Sequence, residues 1–460
     1  SAKLPLGSTI TIPRNSSLTI ADGVVLTQSG LITNNGTLTV NGFLTNPLNL
    51  ANNGTLTGLP AGGTEYVVEN AMDLQWLTML FNNENHGITS VKLANDITMP
   101  EGVVFESLGK VEGLTFDGQG HTISGITIRG VGGDAGLFVW LGNSVVKNLT
   151  LENCDYSTQT GYLGGVVGQA NGTTFSNVTV SGKIAATGTS YGVAGIAASV
   201  YNSEGATTEF IGCTVKADVG GQYAYNVGSV FGTASKSYGS IGVYNCTNTG
   251  AITAQGSMGY VFGFGHMNSS ASLQIIGFDN TGTVNGGAGS ISSAAGSGYT
   301  YDADCAGSEW EAVKDEKGNW LAQEAATYVA QIGETGYATL REALNKVRDG
   351  ETIKILAPAT VNMTETYAIT GKAITLDLNG QTVTWNTSAV CAIDVKSGGK
   401  LTIQDASTQK SGALNIISTY ATSTANSGIR VNAGGSLNLT GGTVSYYHAN
   451  KTGYGAIYLN

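Results

Sequence analysis

The chain has 460 residues, of which only 12% are charged, and a formal net charge of −11. No basic stripe is visible and no apolar run approaches about eighteen residues, so nucleic acid, an anionic membrane surface and membrane insertion are excluded as natural settings. The 67 glycines, 6 prolines and a 41% hydrophobic fraction describe a turn-rich, strand-forming chain with enough apolar residues to build a core.

Residues 1–63 alternate apolar and hydroxyl side chains, as in Thr9-Ile10-Thr11-Ile12, Ser17-Leu18-Thr19-Ile20 and Thr37-Leu38-Thr39-Val40. Period two means strand. The Asp22-Gly23, Asn35-Gly36, Asn41-Gly42 and Asn53-Gly54 steps read as tight turns joining short strands. The segment is either a small β module or a set of narrow stacked coils. Residues 72–83 then change period, with Leu74, Leu77, Leu80 and Phe81 near helical spacing behind Asn70, a candidate N-cap.

From Gly136 to Gly287 one unit is written five times. Its copies open at Leu137-Phe138, Val166-Val167, Ile196-Ala197, Val230-Phe231 and Val261-Phe262, a period of about thirty residues. Each copy closes on Asn or Gly followed by an apolar residue: Asn148-Leu149, Asn177-Val178, Gly212-Cys213, Asn245-Cys246 and Gly277-Phe278. Asn and Gly are the residues that most readily hold positive φ, so one repeated left-handed corner is expected. The pattern that follows predicts a buried ladder of Leu149, Val178, Cys213, Cys246 and Phe278, and an outer ladder of Thr150, Thr179, Thr214 and Thr247. Strands recurring at this period fit a parallel β-solenoid with like residues stacked on like.

Residues 299–325 carry no apolar period and are read as a linker, with Lys317-Gly318 as the tip of a hairpin. The opening then recurs over 326–460. Tyr66-Val67-Val68 matches Tyr328-Val329-Ala330, a second helix is predicted over 339–348, and Val91-Lys92-Leu93 matches Ile353-Lys354-Ile355. Thr115-Phe116-Asp117 likewise matches Thr375-Leu376-Asp377. Each helix is expected to cap the open first coil of its solenoid. The ending Ala456-Ile457-Tyr458-Leu459-Asn460 reads as an interrupted repeat of a longer exported protein.

The steps Gly228 to Gly232 and Gly259 to Gly263, followed by Tyr244-Asn245-Cys246-Thr247-Asn248-Thr249-Gly250, resemble the GLUG repeat of bacterial surface proteins. Phe116-Asp117-Gly118-Gln119-Gly120-His121-Thr122-Ile123 resembles the lead-in to such repeats. Gly434-Gly435-Ser436-Leu437 is similar to right-handed β-helix repeats of bacterial adhesin-like proteins. The resemblance covers residues 64–298 and 326–460. It implies an all-β, right-handed parallel β-helix of the pectin-lyase-like kind, in two tandem units each opened by a short capping helix. It also implies a secreted or cell-surface location, and brings no catalytic motif.

That fold also hosts pectate lyases and polygalacturonases, which need clustered carboxylates, or carboxylates with a basic residue, across adjacent coils. Asp117, His121 and Arg129 are the best such set, but the duplicated copy replaces His121 with Gln381 and Arg129 with Ala389. Asp117 and Asp377 are therefore expected to bond turn amides. The five cysteines show neither CxxC nor Cys/His spacing. Cys213 and Cys246 read as small buried hydrophobes, with an inter-coil disulfide as the other reading. No catalytic residue, cofactor or metal site is expected. The ligand-binding candidates are Tyr162, Tyr191 and Tyr225. The last two occupy equivalent positions and Tyr162 lies one residue off, with Tyr201, Tyr223, Tyr238 and Tyr244 nearby. Such a strip would bind sugar rings or a protein partner; the plainer reading is that the rings cover corners. The expected function is a non-enzymatic extracellular adhesion module for glycan or protein ligands, with a carbohydrate-active enzyme as the alternative.

Overall fold

The computed structural model describes all residues except 1, 61–62, 82–85, 131, 236, 294–298, 325–327, 421–426 and 449–454. Almost every described element is a strand, and almost every pairing is parallel. The chain divides into two compact units, Ser1–Ala325 and Ala326–Asn460.

The first unit begins with three three-stranded parallel sheets built from residues 2–57. In one of them Ser17 pairs with Thr37, and Thr37 with Thr55. The alternation does what period two requires: Ile12, Ile20, Ile32, Leu38 and Val40 are buried while the intervening hydroxyls face out. The Asn-Gly steps are not hairpin turns. A Cβ at Gly36 would fall 2.3 Å from the Pro13 carbonyl oxygen, and one at Gly42 2.3 Å from that of Ala21. These glycines are needed where one turn of chain passes directly over the last, a constraint that looks the same in sequence as a primed turn.

The first helix, α1 (Ala71–Phe81), is N-capped as expected. Asn70 Oδ1 accepts from the Met72 and Asp73 amides at 2.9 and 3.1 Å. The expected residues 82 and 83 lie outside the described part. The helix does not cover an open end. It is buried nearly all round, which requires neighbours on both sides. The Leu44 amide donates to Met72 Sδ at 3.2 Å from the narrow stack, and Tyr66 Oη donates to the Asp73 carbonyl at 2.9 Å from the other side.

Beyond α1 the chain returns to the same sheets about every thirty residues. The threonines stack in register, Thr150 on Thr179, Thr179 on Thr214, Thr214 on Thr247, and Thr122 precedes them against Thr150. All five corner residues hold positive φ: Asn148 51°, Asn177 53°, Gly212 60°, Asn245 53° and Gly277 66°. Leu149 pairs with Val178, the threonine register sets Cys213 and Cys246 next in that column, and none of the five ladder residues exceeds 3% exposure. The Cys213 amide donates to Cys246 Sγ at 3.4 Å, and both thiols are free. Inside, Phe175 stacks on Phe210 at 5.1 Å and Phe231 on Phe262 at 4.9 Å.

The segment read as a linker is instead bound to this unit. Thr300–Asp302 pairs with Ser272–Gln274, and Trp310–Lys314 forms an antiparallel hairpin with Trp320–Glu324. Asp315 Oδ1 closes its tip by accepting from the Lys317 and Asn319 amides. The hairpin docks through two long-range devices. Trp320 stacks on Tyr244 at 4.3 Å and donates to Glu209 Oε1 at 2.7 Å. Asn245 donates to the Ala312 carbonyl and accepts from its amide. Such contacts lie far apart in the chain and leave no periodic trace in it.

The second unit repeats the scheme with one departure. Thr352 pairs with Thr375 as Ser90 pairs with Thr115, so the duplicated segments are duplicated in register too. Tyr66-Val67-Val68 and Tyr328-Val329-Ala330 do not correspond, however. Glu65–Val68 runs parallel to Ser90–Leu93, whereas Ala330–Ile332 runs antiparallel to Thr352–Ile355. The physical reason is the two-residue turn at Gly333, φ 57°, which folds Ala330–Ile332 back on Thr335–Tyr337. The helix α2 (Leu340–Lys346) starts at a Thr339/Glu342 capping box. It buries only Leu340, Ala343 and Leu344, the one-sided pattern of a cap.

Candidate ligand-binding face

Tyr162, Tyr191 and Tyr225 sit at one corner of the first unit, at the start of the strands Tyr162–Gly164, Gly192–Ala194 and Asn226–Gly228. Tyr162 pairs with Gly192 and Ser190 bridges Ala224, so Tyr191 lies beside Tyr225 on consecutive turns. The two rings stack, with centroids 6.3 Å apart and planes 26° from parallel. They are 62% and 42% exposed. Asn226 Nδ2 donates to the Tyr191 carbonyl at 2.7 Å and fixes the backbone between them.

Tyr162 is placed differently, as its offset foretold. A Cβ at Gly192 would fall 2.8 Å from Tyr162 Cδ1, so this ring lies flat over the next turn and glycine makes room for it. The Tyr162 amide donates to Asp134 Oδ1 at 3.1 Å, and Gln169 Nε2 donates to the other oxygen of that carboxylate. Burial, with the nearby Asp134 charge and the Tyr191 phenol, raises the Tyr162 pKa. The ring is therefore neutral over the whole ordinary pH range, a hydroxyl donor and acceptor.

Of the tyrosines noted nearby, Tyr201, Tyr223 and Tyr238 are exposed at 46%, 45% and 44%. Tyr223 belongs to the same corner, since its carbonyl accepts from the Ser190 amide. Tyr244 does not form part of the strip. It is 6% exposed beneath Trp320.

The acid–base candidates are each held by separate partners. Asp117 Oδ1 accepts from the Gln119 amide at 2.9 Å and from Asn148 Nδ2 at 3.2 Å, while Lys147 Nζ lies 3.2 Å from Oδ2. These bonds outweigh its desolvation and lower its pKa. His121 Nδ1 lies 3.1 Å from Asp96 Oδ1, and Arg129 bonds Asp155 on the following turn. Asp377 Oδ1 accepts from the Asn379 and Ala406 amides at 3.0 and 2.9 Å. Both duplicated aspartates thus bond turn amides. Among the described residues no three His, Cys, Asp or Glu side chains converge as a metal set. No described helix is long and apolar enough to cross a membrane.

Sequence reasoning missed Asp405, which is buried and accepts from the Gly380, Ser407 and Gly412 amides. The Ser407 hydroxyl and these amides pull its pKa down to about 2. The Asp-x-Ser spacing was the available signal. It also missed the Asp394–Arg430 pair, whose two bonds of 3.0 and 2.8 Å link residues that face each other on adjacent strands.

No protein-family model and no curated protein matches the chain. Two solved structures are similar to it. One, from Bacteroides ovatus and provisionally described as an immunoglobulin A1 protease, has 20% identity and a TM-score of 0.39, over 46% of this chain and 65% of its own. The chain therefore spans less than two thirds of that protein's solved length. The other, the SRRP of L. reuteri 53608, has 12% identity and a TM-score of 0.20, over 85% of this chain and 98% of its own. Likeness at that level carries no argument about function.

Proposed function

We propose that both units are right-handed parallel β-helices of the pectin-lyase-like kind, and that the chain is a non-enzymatic, extracellular surface module for glycan or protein ligands. Tyr162, Tyr191 and Tyr225 are its ligand contacts. The observation that carries this is the Tyr191–Tyr225 pair: two rings stacked, exposed, and held on consecutive turns of a hydrogen-bonded stack. A face built on sheet is rigid, so binding orders little of the protein and loses little entropy. Stacked turns also repeat weak contacts along one flank.

A location on a bacterial surface, or free in the medium, follows from the same reading. The GLUG-like residues support it. The carbohydrate-active alternative draws less support. Asp117 and Asp377 are occupied with turn amides, and a hydrolase needs two free carboxyls roughly 5–9.5 Å apart.

Glycan-array and host-protein binding, run beside a polysaccharide-degradation assay, tests this. Binding without sugar release, weakened by Tyr191→Ala, is the expected result. Release of unsaturated or reducing sugars overturns the non-enzymatic reading.

A further inference from the structure

We infer that the ligand of the tyrosine corner is an uncharged glycan, held by sugar rings stacked on the outer faces of Tyr191 and Tyr225; this rests on the binding reading above and names its ligand class.

The first observation is what stands on either side of the pair. The register that sets Tyr162 against Gly192 sets Gly161 beside Tyr191, and the pairing of Asn226 with Ser257 sets Gly256 beside Tyr225. The aromatic column therefore reads Gly161, Tyr191, Tyr225, Gly256. Neither glycine can be replaced by a side chain that would cover a ring. A Cβ at Gly161, φ 87°, would fall 2.0 Å from the Gly133 carbonyl oxygen, and one at Gly256 2.4 Å from that of Tyr225. The close approach of successive turns thus leaves no side chain in this column beside either outer ring face, one toward each end of the stack. Two flat, weakly polar platforms facing opposite ways suit two rings of one chain-like ligand.

The second observation is charge. The corner segments 159–162, 187–191, 221–225 and 253–257 contain Gln, Thr, Ser, Tyr, Gly and Ala and no Asp, Glu, Lys, Arg or His. An anionic ligand would lose hydration there and find no cation to pair with. Asp134, whose carboxylate is bonded to the Tyr162 amide and Gln169, repels anions. Exposed hydroxyls and amides at Gln159, Thr160, Thr189, Gln222 and Gln255 match the hydroxyl groups of a neutral sugar.

The third observation sets aside an extended peptide. Such a ligand binds by adding a strand to a free edge. The strands that follow Tyr191 and Tyr225, Gly192–Ala194 and Asn226–Gly228, are the two inner strands of a four-stranded sheet and are paired on both sides. Ring faces and side-chain polar groups are what remain.

The test uses the full chain on an array of neutral, uronic-acid and sialylated oligosaccharides, followed by calorimetric titration of the best ligand at 0.05 and 0.5 M salt. The expected result is binding of neutral oligosaccharides, changed less than about twofold by salt. Tyr191→Ala and Tyr225→Ala should each weaken it roughly tenfold, and Tyr191→Phe, which keeps the ring, should retain it. Unchanged thermal melting of the variants shows that they fold. Binding confined to acidic glycans, sensitive to both tyrosine variants, overturns the neutral class while leaving the site in place. Glycan binding indifferent to both variants, or none at millimolar ligand, overturns the site itself.

Discussion

Asn177 donates through Nδ2 to Oδ1 of Asn148, one turn earlier, at 3.4 Å, and both residues hold φ just above 50°. Asn148 and Asn177 are thus linked through their side chains, as well as tolerating left-handed backbone. Alanine at 177 must adopt the same φ with no polar side chain, so Asn177→Ala should destabilise the first unit by about 1–2 kcal/mol. Asn177→Gly should cost less, since Gly212 already fills the next position. Denaturant midpoints of the two variants check the order.

The Trp320 hairpin gives a second prediction. Its docking depends on one aromatic stack and on Asn245, which bonds the Ala312 backbone twice. Trp320→Ala removes the stack and the bond to Glu209, about 2 kcal/mol together. Hydrogen exchange at Ala312 and Val313 should quicken roughly thirtyfold, while exchange at Val178 and Val180 stays as in the native chain. Equal quickening at both places would mean that the hairpin is part of the unit's global stability.

The buried carboxylates set the acid response of the second unit. Asp405 is held near 2 by the Ser407 hydroxyl and three amides, and Asp394 is held low by Arg430 first and Asn432 second. Both native values lie below the unfolded value near 3.8, so the unfolded chain takes up protons first as pH falls. The stabilisation is present above about pH 4 and should be lost between about pH 4 and 2. Asp405→Asn should lower the thermal midpoint at pH 7 and flatten that loss, measured by calorimetry from pH 7 to 2.

Much of this architecture was legible because it repeats. Five Asn/Gly corners and a threonine column are periodic signals, and the structure places Thr150, Thr179, Thr214 and Thr247 in one register. What escaped was non-periodic. The Trp320–Tyr244 stack joins residues far apart in the chain, so Tyr244 looked like a surface ring and 299–325 like a linker. The Asn-Gly steps of the narrow stack did join short strands as read, but glycine serves a primed turn and a tight crossing of chain equally well, so the choice between a small module and stacked coils needed the register. Of the candidate site, the equivalence of Tyr191 and Tyr225 followed from their spacing. The vacancies at Gly161 and Gly256 needed the register.

The tyrosine corner exists only if successive turns lie directly over one another. Spin labels at Thr122 and Thr247, separated by four paired steps, measure this by pulsed electron resonance. Four steps at the interstrand spacing put the two backbones about 19 Å apart, and a single narrow distribution near that value is the predicted result. A broad distribution, or a separation well beyond about 30 Å, would contradict the stack and with it the face that Tyr191 and Tyr225 form.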